Sequence, residues 1–556
     1  MVYLLCLFWF IREIKLILFW LYLWQLKEYH LGRFIDHFRT EKGKKLLLNK
    51  LLFFKIILIL LLLFAFPWKY LLIQPWLNYQ VWIFCLLILY FLEAAKGCFD
   101  FFKRKLKAPA FTKKIIFLIF VIFLFQIFYF FSIFQKESFS FHLLIFDIFT
   151  PAIVSGIVLF FQPFTALYRY QIIKKAKKKR ESFKNLLVIS ITGSYGKTST
   201  KEFLATILEE KFGKEKVLKT KAHQNSEVGI SQCILNDLKP EHEIFVVEMG
   251  AYNRGGIKLL CNITKPKIGI ITGVNEQHLA TFGTMENLLS AEGGMELIES
   301  LPEDGLVIFN GNNKHCLDIY QKTEIKKTKI KKKISYNNFL MAAENILSAD
   351  IWSQDVKVEK EFINFKVFSK DGDSAEFRLN LSGGQNIENI LLAACCAKEL
   401  GMDLGEISKA CQKIKPEQGG MKLIKTKEGL NLIDSTYSTN PDGVMAHLDY
   451  LKIWPQKKVI IMPCLIELGL ASKEVHKRIG EKIGEVCDLA IMTTKDRFKE
   501  IKEGVIKSGM KKENILFLEN PKEIFEKIKD FSGKDDVILL EGRIPKEIHQ
   551  FLIEKL

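Results

Sequence analysis

Apolar side chains are densest before about residue 165, where they form runs long enough to be membrane helices. Four of these runs are nearly free of charge: Ile56–Pro67, Val81–Leu92, Ile115–Phe134 and Phe141–Pro163. A fifth run, Met1–Trp24, carries Arg12, Glu13 and Lys15. A bilayer core is crossed by ~20 apolar residues as helix, because a helix satisfies its own backbone hydrogen bonds. The pattern predicts a multi-pass α-helical membrane domain of about five helices over residues 1–168.

The segments between these runs alternate in charge. Lys27–Lys50 and Lys96–Lys114 are strongly basic, whereas the other two segments carry little charge. Because basic segments stay in the cytoplasm, we expect the chain after Tyr168 to lie inside the cell and the protein to lie in the inner (cytoplasmic) membrane. Met1–Trp24 has no small-residue cleavage site, which argues against a cleaved signal peptide.

Residues 169–185 follow the last run as a basic juxtamembrane linker. We expect this linker to attract anionic lipid, at ~1 kcal/mol per basic side chain near the surface. It lacks the interleaved aromatic residues of a nucleic-acid-binding arm. The formal net charge of +18 is therefore explained largely by the membrane, and no nucleic-acid partner is expected.

The composition excludes several protein classes. A chain of 556 residues is too long for one hydrophobic core, and a hydrophobic fraction of 49% excludes intrinsic disorder. None of the 11 cysteines forms a CxxC pair, which argues against a disulfide scaffold and a four-thiolate zinc site.

Strand-like and helix-like patterns alternate after the linker and predict an α/β fold. Residues 186–415 form a central domain with a hairpin insert near Asp350–Leu381, and the Lys-rich Lys326–Lys333 is expected to be a solvated loop. Residues 416–556 form a smaller, doubly wound, Rossmann-like domain, with strands at Lys458–Met462, Leu489–Met492, Ile515–Leu518 and Val537–Leu540. No G-x-G-x-x-G follows a strand there, so a dinucleotide cofactor is not expected.

A compact phosphate-binding loop opens the central domain. The predicted strand Leu186–Ile191 leads into Thr192–Ser199 (TGSYGKTS), and a helical pattern continues to Glu210. In this context, backbone N–H groups at Gly193 and Gly196 close on phosphate oxygens, Lys197 neutralises the β and γ phosphates, and the Thr198 hydroxyl binds Mg²⁺. The loop therefore predicts ATP and Mg²⁺, with Ser194, Tyr195 and Ser199 as further nucleotide-contacting positions.

Residues 186–556 resemble the Mur ligase family of ATP-dependent amide-forming enzymes. Besides the loop, the resemblance rests on segments in the family's order: Asn225–Gly229, Val246–Ala251, Thr272–Leu279, Phe282-Gly283, Gly383–Asn389, Asp434–Pro441 and Glu467–Gly469. The EMGA, HL-x-x-FG, NP and ELG features are most similar to the branch that adds D-alanyl-D-alanine to a peptidoglycan precursor, the MurF-type branch.

The resemblance implies a function and a role for several residues. The implied reaction phosphorylates a muropeptide carboxylate with ATP, and an amino acid or dipeptide amine then attacks the acyl phosphate. Glu248 is the implied Mg²⁺ ligand beside Thr198, and His278 the support of a second metal position. Asn386 is implied to bond adenine, and Asp434 to reach ribose or phosphate. Asn440 lies in the same nucleotide-contacting signature.

The sequence departs from the family pattern at several charged positions. Glu292 stands where many members carry a carbamylated lysine, so either Glu292 supplies that charge directly, as a catalytic residue with Lys197 and His278, or the second metal is weakened or lost. Gly420, Gln385 and Ser435 replace a family Arg, His and Asp.

Apolar spans also occupy the place of the family's soluble UDP-sugar-binding domain. This departure suggests a muropeptide substrate handled at the bilayer, for example a lipid-linked precursor, and a UDP-linked precursor stays open beside it. Two alternatives to the MurF-type ligase stay open: a membrane-associated relative that adds amino acids to another acceptor, of the polyglutamate type, and a degenerate nucleotide-binding regulatory subunit.

Overall fold

A computed structural model describes nine stretches of the chain: residues 1–47, 49–65, 75–103, 106–134, 139–222, 224–322, 330–337, 349–437 and 439–555. Contacts between Cα atoms divide the chain into two units, Met1–Tyr168 and Arg169–Leu556.

Helices are the regular secondary structure of the first unit among its described residues. Its helices are α1 (Val2–Leu26), α2 (Leu31–His37), α3 (Glu41–Leu47), α4 (Lys50–Ala65), α5 (Pro75–Phe102), α6 (Lys113–Ile133) and α7 (Phe139–Ser182), the last of which continues into the second unit. The apolar runs lie on α1, α4, α5, α6 and α7, except for Met1 and Phe134, which flank α1 and α6. Residues 66 and 67 lie outside the described residues. The described parts of the five apolar runs are therefore mostly helical, and the membrane domain of about five helices stays a prediction.

A network of paired charges crosses the apolar interior of this unit. Arg12 donates to Glu93 over 2.9 Å and also contacts Glu13 and Asp147, and Lys55 lies 2.6 Å from Glu93 and 2.7 Å from Asp147. Charged groups removed from water are costly unless they are paired, and here each carboxylate meets a cation. The charges that interrupt the first apolar run thus have partners on other helices.

Two described helices, α6 and α7, are long and apolar enough to cross a membrane. The core helix of a soluble protein can meet the same criteria of length and composition. Large apolar side chains are exposed on the helices of this unit; examples are Phe53, Phe84, Phe120, Phe128 and Phe160. The number of spans stays a prediction.

Most of the predicted linker is the last part of α7. Ile173 and Ala176 pack into the core of the second unit, and the buried Arg180 donates to the carbonyl groups of Thr264 and Leu186 over 2.8 and 3.1 Å. One face of this helical segment therefore packs against the core of the second unit, while Lys174, Lys175 and Lys178 are exposed.

The second unit begins with a nine-stranded sheet in the order β2-β3-β1-β4-β5-β6-β7-β8-β9. Its strands are β1 (Leu187–Thr192), β2 (Val217–Lys219), β3 (Ile244–Glu248), β4 (Ile268–Ile271), β5 (Leu306–Asn310), β6 (Lys331–Tyr336), β7 (Ile351–Val358), β8 (Ile363–Ser369) and β9 (Ser374–Leu379). Its helices are α8 (Lys197–Phe212), α9 (Glu227–Asn236), α10 (Gly256–Thr264), α11 (Leu279–Phe282), α12 (Met285–Ala291), α13 (Met295–Ser300), α14 (Lys314–Lys322), α15 (Gln385–Glu399) and α16 (Leu404–Cys411).

The first seven strands of this sheet pair in parallel, and fully buried side chains cover both faces. Strand β1 lies between β3 and β4, so the carboxyl ends of these three strands meet at one edge. Ligands of open α/β sheets bind outside that edge, which is where the phosphate loop leaves β1.

The antiparallel strands β7, β8 and β9 confirm the predicted hairpin insert. The prediction of a solvated loop at Lys326–Lys333 is wrong for its last residues, because Lys331–Lys333 belong to β6 between β5 and β7. Lys333 is stabilised there by ion pairs with Asp350 and Glu399 at 3.0 and 3.3 Å. Residues 326–329 lie outside the described part of the chain.

A second sheet, of six strands, follows residue 416 in the order β10-β11-β15-β12-β13-β14. Its strands are β10 (Lys422–Lys425), β11 (Asn431–Ser435), β12 (Lys458–Met462), β13 (Leu489–Met492), β14 (Ile515–Phe517) and β15 (Val537–Glu541). Its helices are α17 (Pro441–Leu451), α18 (Ser472–Val486), α19 (Phe498–Lys507), α20 (Pro521–Phe531) and α21 (Lys546–Lys555). All strands except β10 are parallel, which confirms the doubly wound prediction. The boundary between residues 415 and 416 stays a prediction.

Candidate active site

The phosphate loop joins β1 to α8 and requires glycine at two positions. Gly193 and Gly196 have φ values of 143° and 74°, which L side chains rarely adopt. A Cβ atom on Gly196 would lie 2.5 Å from Asn389 Oδ1, so α15 closes the loop from the side. The loop backbone thus turns tightly into the amino terminus of α8, the end of a helix that favours anions.

Lys197 is the first residue of α8 and lies across the loop that it follows. Its ammonium group contacts the Gly193 carbonyl and donates to the Ser194 carbonyl over 3.3 Å. The side chain therefore holds a positive charge where the predicted phosphates would lie.

Thr198 and Glu248 meet beside the loop, at the ends of α8 and β3 that face each other. The Thr198 hydroxyl donates to Glu248 Oε2 over 3.0 Å, and the Asn225 amide donates to Glu248 Oε1 over 3.2 Å. A hydroxyl and a carboxylate are the hard oxygen donors that Mg²⁺ prefers, with phosphate oxygens supplying further ligands. No group of three or more His, Cys, Asp or Glu side chains suited to a metal occurs among the described residues. The residues present fit a Mg²⁺ ion that is held jointly with a phosphate.

Glu292 follows α12 and is only 1% exposed. Its Oε2 atom accepts a hydrogen bond from the Ser194 hydroxyl over 2.9 Å. Its Oε1 atom lies 3.1 Å from His278 Nδ1. Burial raises the pKa of this carboxyl, but the charges of His278 and Lys197 and the two hydrogen bonds outweigh burial, so its pKa is lowered. Glu292 is therefore an ionised carboxylate bonded directly to the phosphate loop.

His278 connects this carboxylate to the second sheet. Its backbone has φ 66°, and its Nε2 atom lies 3.8 Å from Glu467 Oε2. The Ala280 N–H donates to the Glu467 carbonyl over 2.9 Å, and the Tyr252 ring packs edge-on against the imidazole. Both ring nitrogens thus face carboxylates, which fixes the orientation of the imidazole.

A second contact joins the two sheets through Asn275, which is 4% exposed. Its amide donates to Asn440 Oδ1 over 2.9 Å and to Asp442 Oδ2 over 2.8 Å. Asn440 is also the N-cap of α17, where it accepts from the Gly443 N–H. The predicted residue Asn440 is therefore brought next to the loop that follows β4.

Two other predicted nucleotide-contacting residues, Asn386 and Asp434, form hydrogen bonds with other parts of the protein. Asn386 is fully buried, and its amide donates to the carbonyl groups of Ser382 and Gly419 over 3.0 and 3.3 Å. Asp434 is the penultimate residue of β11 and accepts from His549 over 3.0 Å. Their contacts with a nucleotide stay predictions.

Tyr195 lies on the far side of the loop, where its hydroxyl accepts from Asn313 over 3.1 Å. Burial and the negative charges of Glu388 and Asp442 raise the pKa of this phenol, so its proton is retained. Glu388 itself accepts from Asn310 over 2.7 Å, and burial raises its pKa.

Three residues of the site were not predicted from the sequence as site residues. Lys201 lies one helical turn after Thr198 and contacts the same carboxylate, a position that helical i, i+3 spacing indicates. Asn275 and Asn389 act through contacts between distant segments, for which one sequence carries no signal.

Two family models and several known proteins match this chain. The sequence matches the Mur ligase middle domain over residues 191–397 and the Mur ligase, glutamate ligase domain over residues 419–544. Three curated relatives are UDP-N-acetylmuramoyl-tripeptide–D-alanyl-D-alanine ligases. The Escherichia coli (strain K12) protein is 28% identical over 53% of this chain and 61% of its own length. The Bacillus subtilis (strain 168) protein is 27% identical over 66% and 76%. The Synechocystis protein is 31% identical over 53% and 59%.

The chain thus spans about three-fifths of the length of two of these relatives and 76% of the third. Among solved structures, MurF from Acinetobacter baumannii has a TM-score of 0.60 at 23% identity, covering 70% of this chain and 80% of that one. MurF from Thermotoga maritima in complex with ADP has a TM-score of 0.58 at 24% identity, covering 70% and 85%. At these identities the structural likeness establishes the fold.

Proposed function

Because the chain belongs to the Mur ligase family, we propose that it is an ATP-dependent ligase that joins a muropeptide carboxylate to the amine of D-alanyl-D-alanine in peptidoglycan synthesis. The names of the curated relatives support this reaction. The observation that carries the proposal is the arrangement of Lys197, Thr198 and Glu248 around one tight loop at the carboxyl edge of the first sheet.

The residues of this loop have distinct tasks in binding ATP. Backbone N–H groups at Gly193–Ser199 and the amino terminus of α8 bind phosphate oxygens, and Lys197 adds a charge-assisted contact to the β and γ phosphates. Thr198 and Glu248 would hold Mg²⁺, which when bound neutralises part of the phosphate charge. The site therefore gathers positive charge where the triphosphate is most negative.

The reaction has two bond-forming stages. A carboxylate oxygen of the precursor attacks the γ-phosphorus of ATP, which gives an acyl phosphate and ADP. The amine of the dipeptide then attacks the acyl carbon, and the tetrahedral intermediate collapses to the amide and inorganic phosphate. The protein contributes chiefly by positioning the two reactants and stabilising negative charge, the main sources of rate in phosphoryl and acyl transfer.

Glu292 supplies the negative charge that a carbamylated lysine supplies in many family members. Its lowered pKa, its burial and its bond from Ser194 support this role over a weakened second metal position. His278 acts as a positioning residue, because its imidazole bonds Glu292 and faces Glu467 from the other side.

Three further residues serve the nucleotide. Asn386 fixes the adenine-side loop Gly383–Asn389 through its buried amide. Asp434 and Asn440 approach ribose or phosphate from the second sheet, and the bond from Asn275 to Asn440 supports an approach at the loop after β4.

The first unit anchors the enzyme as a multi-pass protein of the inner (cytoplasmic) membrane, with residues 169–556 in the cytoplasm. The support is the bundle of apolar helices with large exposed apolar side chains, which lipid solvates better than water. Alkaline carbonate treatment of cell membranes is expected to leave the full chain in the pellet, and release into the supernatant would contradict the anchor.

Phosphate release by the full chain in lipid vesicles tests the reaction. We expect release that depends on both D-alanyl-D-alanine and a precursor, with higher kcat/KM for a lipid-linked than for a UDP-linked muropeptide. Lys197→Ala is expected to abolish release, because the phosphate charge is no longer offset. Equal kcat/KM for the two precursors would refute the membrane substrate and leave the ligase reaction intact.

A second candidate is a membrane-associated ligase that adds amino acids to another acceptor. The description of residues 419–544 as a glutamate ligase domain favours it over the regulatory subunit, whereas the uncharged Gly420 and Ser435 keep the regulatory subunit open. Phosphate release with glutamate and without the dipeptide would support this candidate. No release with any amine would support the regulatory subunit.

A further inference from the structure

Lys201 is a lysine with no exposed surface, one helical turn after the loop residue Thr198. Its ammonium nitrogen lies 3.3 Å from Glu248 Oε2 and 3.2 Å from Glu202 Oε1. Burial of an ammonium ion is costly unless carboxylates pair with it. An ordinary helix lysine would instead extend into solvent, so this one is held by its contacts at the metal side of the site.

Charges alternate along a line from the site toward the surface. Glu248 is followed by Lys201, then by Glu202, and then by Lys219, which is 30% exposed and lies 2.7 Å from Glu202. Only Lys201 of the two lysines touches Glu248. The same carboxylate oxygen also accepts from Thr198, so two donors fix its direction.

We propose that Lys201 is a positioning residue that holds Glu248 and offsets its charge, so that the site binds Mg²⁺ together with the triphosphate and not before it. The inference rests on the proposed function, in which Glu248 is a Mg²⁺ ligand. A fixed ammonium ion this close to the carboxylate repels a lone divalent cation. The negative charge of a bound triphosphate reverses that balance.

Binding of Mn²⁺ to the full chain, followed by electron paramagnetic resonance, tests the inference without turnover. Wild type is expected to bind Mn²⁺ at least about tenfold more weakly alone than with a non-hydrolysable ATP analogue. Lys201→Gln is expected to tighten nucleotide-free Mn²⁺ binding at least about tenfold, because the repelling charge is gone. Lys201→Arg, which keeps the charge, is expected to behave as wild type.

Lys219→Gln is the matched control. It removes the same charge from the same line of ion pairs but does not touch Glu248, so it is expected to change nucleotide-free binding by less than about twofold. Lys201→Met serves as a second neutral variant, and the thermal unfolding of every variant is compared with that of wild type.

Two results would overturn the inference. One is nucleotide-free Mn²⁺ binding by wild type as tight as binding with the analogue, a result that needs no variant. The other is folded Lys201→Gln or Lys201→Met protein that binds Mn²⁺ no more tightly than wild type. Loss of the ligase reaction in the phosphate-release assay, with the Mn²⁺ pattern intact, would refute the proposed function alone.

Discussion

The hydroxyl of Ser194 donates to the carboxylate of Glu292 over 2.9 Å, which ties the phosphate loop to the segment after α12. The other oxygen of Glu292 meets His278, whose ring also faces Glu467 in the loop after β12 of the second sheet. A single buried carboxylate thus connects the nucleotide loop, the loop after β4 and the second sheet.

Glu292→Gln is expected to lower kcat about 10²–10³-fold, the usual cost of removing one preorganised electrostatic group. The amide can still accept from Ser194, so the thermal unfolding temperature should change little. Steady-state phosphate release measures kcat and KM. Glu286→Gln is the matched control, because Glu286 lies on the same α12 and is exposed. Equal kcat in the two variants would exclude a catalytic role for Glu292.

Asn275→Ala is expected to weaken the contact between the two sheets and to raise KM for ATP. The change leaves Asp442 and Asn440 without the donor that now lies 2.8 and 2.9 Å away. A hydrogen bond to a charged group such as Asp442 contributes about 1.5–3 kcal/mol, which corresponds to roughly a tenfold or larger effect. Asn262→Ala, at an exposed position on α10, is the control. An unchanged KM would show that this contact does not assist nucleotide binding.

The buried Glu388 makes stability depend on pH. Burial raises the pKa of Glu388 above the ordinary 4.5. The negative charge of Asp442 also raises this pKa, and the hydrogen bond from Asn310 lowers it by less than burial raises it. The folded state therefore binds more protons than the unfolded state, so stability falls as pH rises from 4.5 through the raised pKa. Glu388→Gln should remove this decrease. Thermal unfolding of the full chain across the acid range measures it, and parallel curves for the two proteins would contradict the effect.

Much of the second unit follows from its sequence. Strands Lys458–Met462 and Leu489–Met492 end at the predicted residues, because short β-branched runs between turn residues carry a local signal. The phosphate loop was predictable for the same reason, since its glycines, lysine and threonine are contiguous.

Features that depend on distant contacts were not predictable. The Lys331–Lys333 run reads as solvated, yet Asp350 and Glu399 from other elements hold Lys333 in a strand. The burial of Lys201 and Asn386, and the bonds of Asn275, likewise depend on which segments the fold brings together.

Lys55→Met tests the charged network of the first unit. Lys55 is 3% exposed at its side chain and pairs with Glu93 and Asp147. Among the described residues, its loss leaves Arg12 as the cation paired with both carboxylates. Removing one partner of a buried ion pair costs about 3–5 kcal/mol. Lys15→Met is the control, because Lys15 is 33% exposed and its pair with Asp100 is worth about 0–1 kcal/mol. Equal unfolding temperatures in detergent would refute the network's role.

Transfer of oxygen from a heavy-oxygen-labelled muropeptide carboxylate to inorganic phosphate tests the acyl-phosphate route most directly. If the γ-phosphoryl group is passed to the carboxylate and the dipeptide amine then displaces it, each released phosphate carries one labelled oxygen from the acceptor. We expect this label in the presence of D-alanyl-D-alanine and its absence with Lys197→Ala. Phosphate released by wild type without label would mean that water, and not the carboxylate, receives the phosphoryl group.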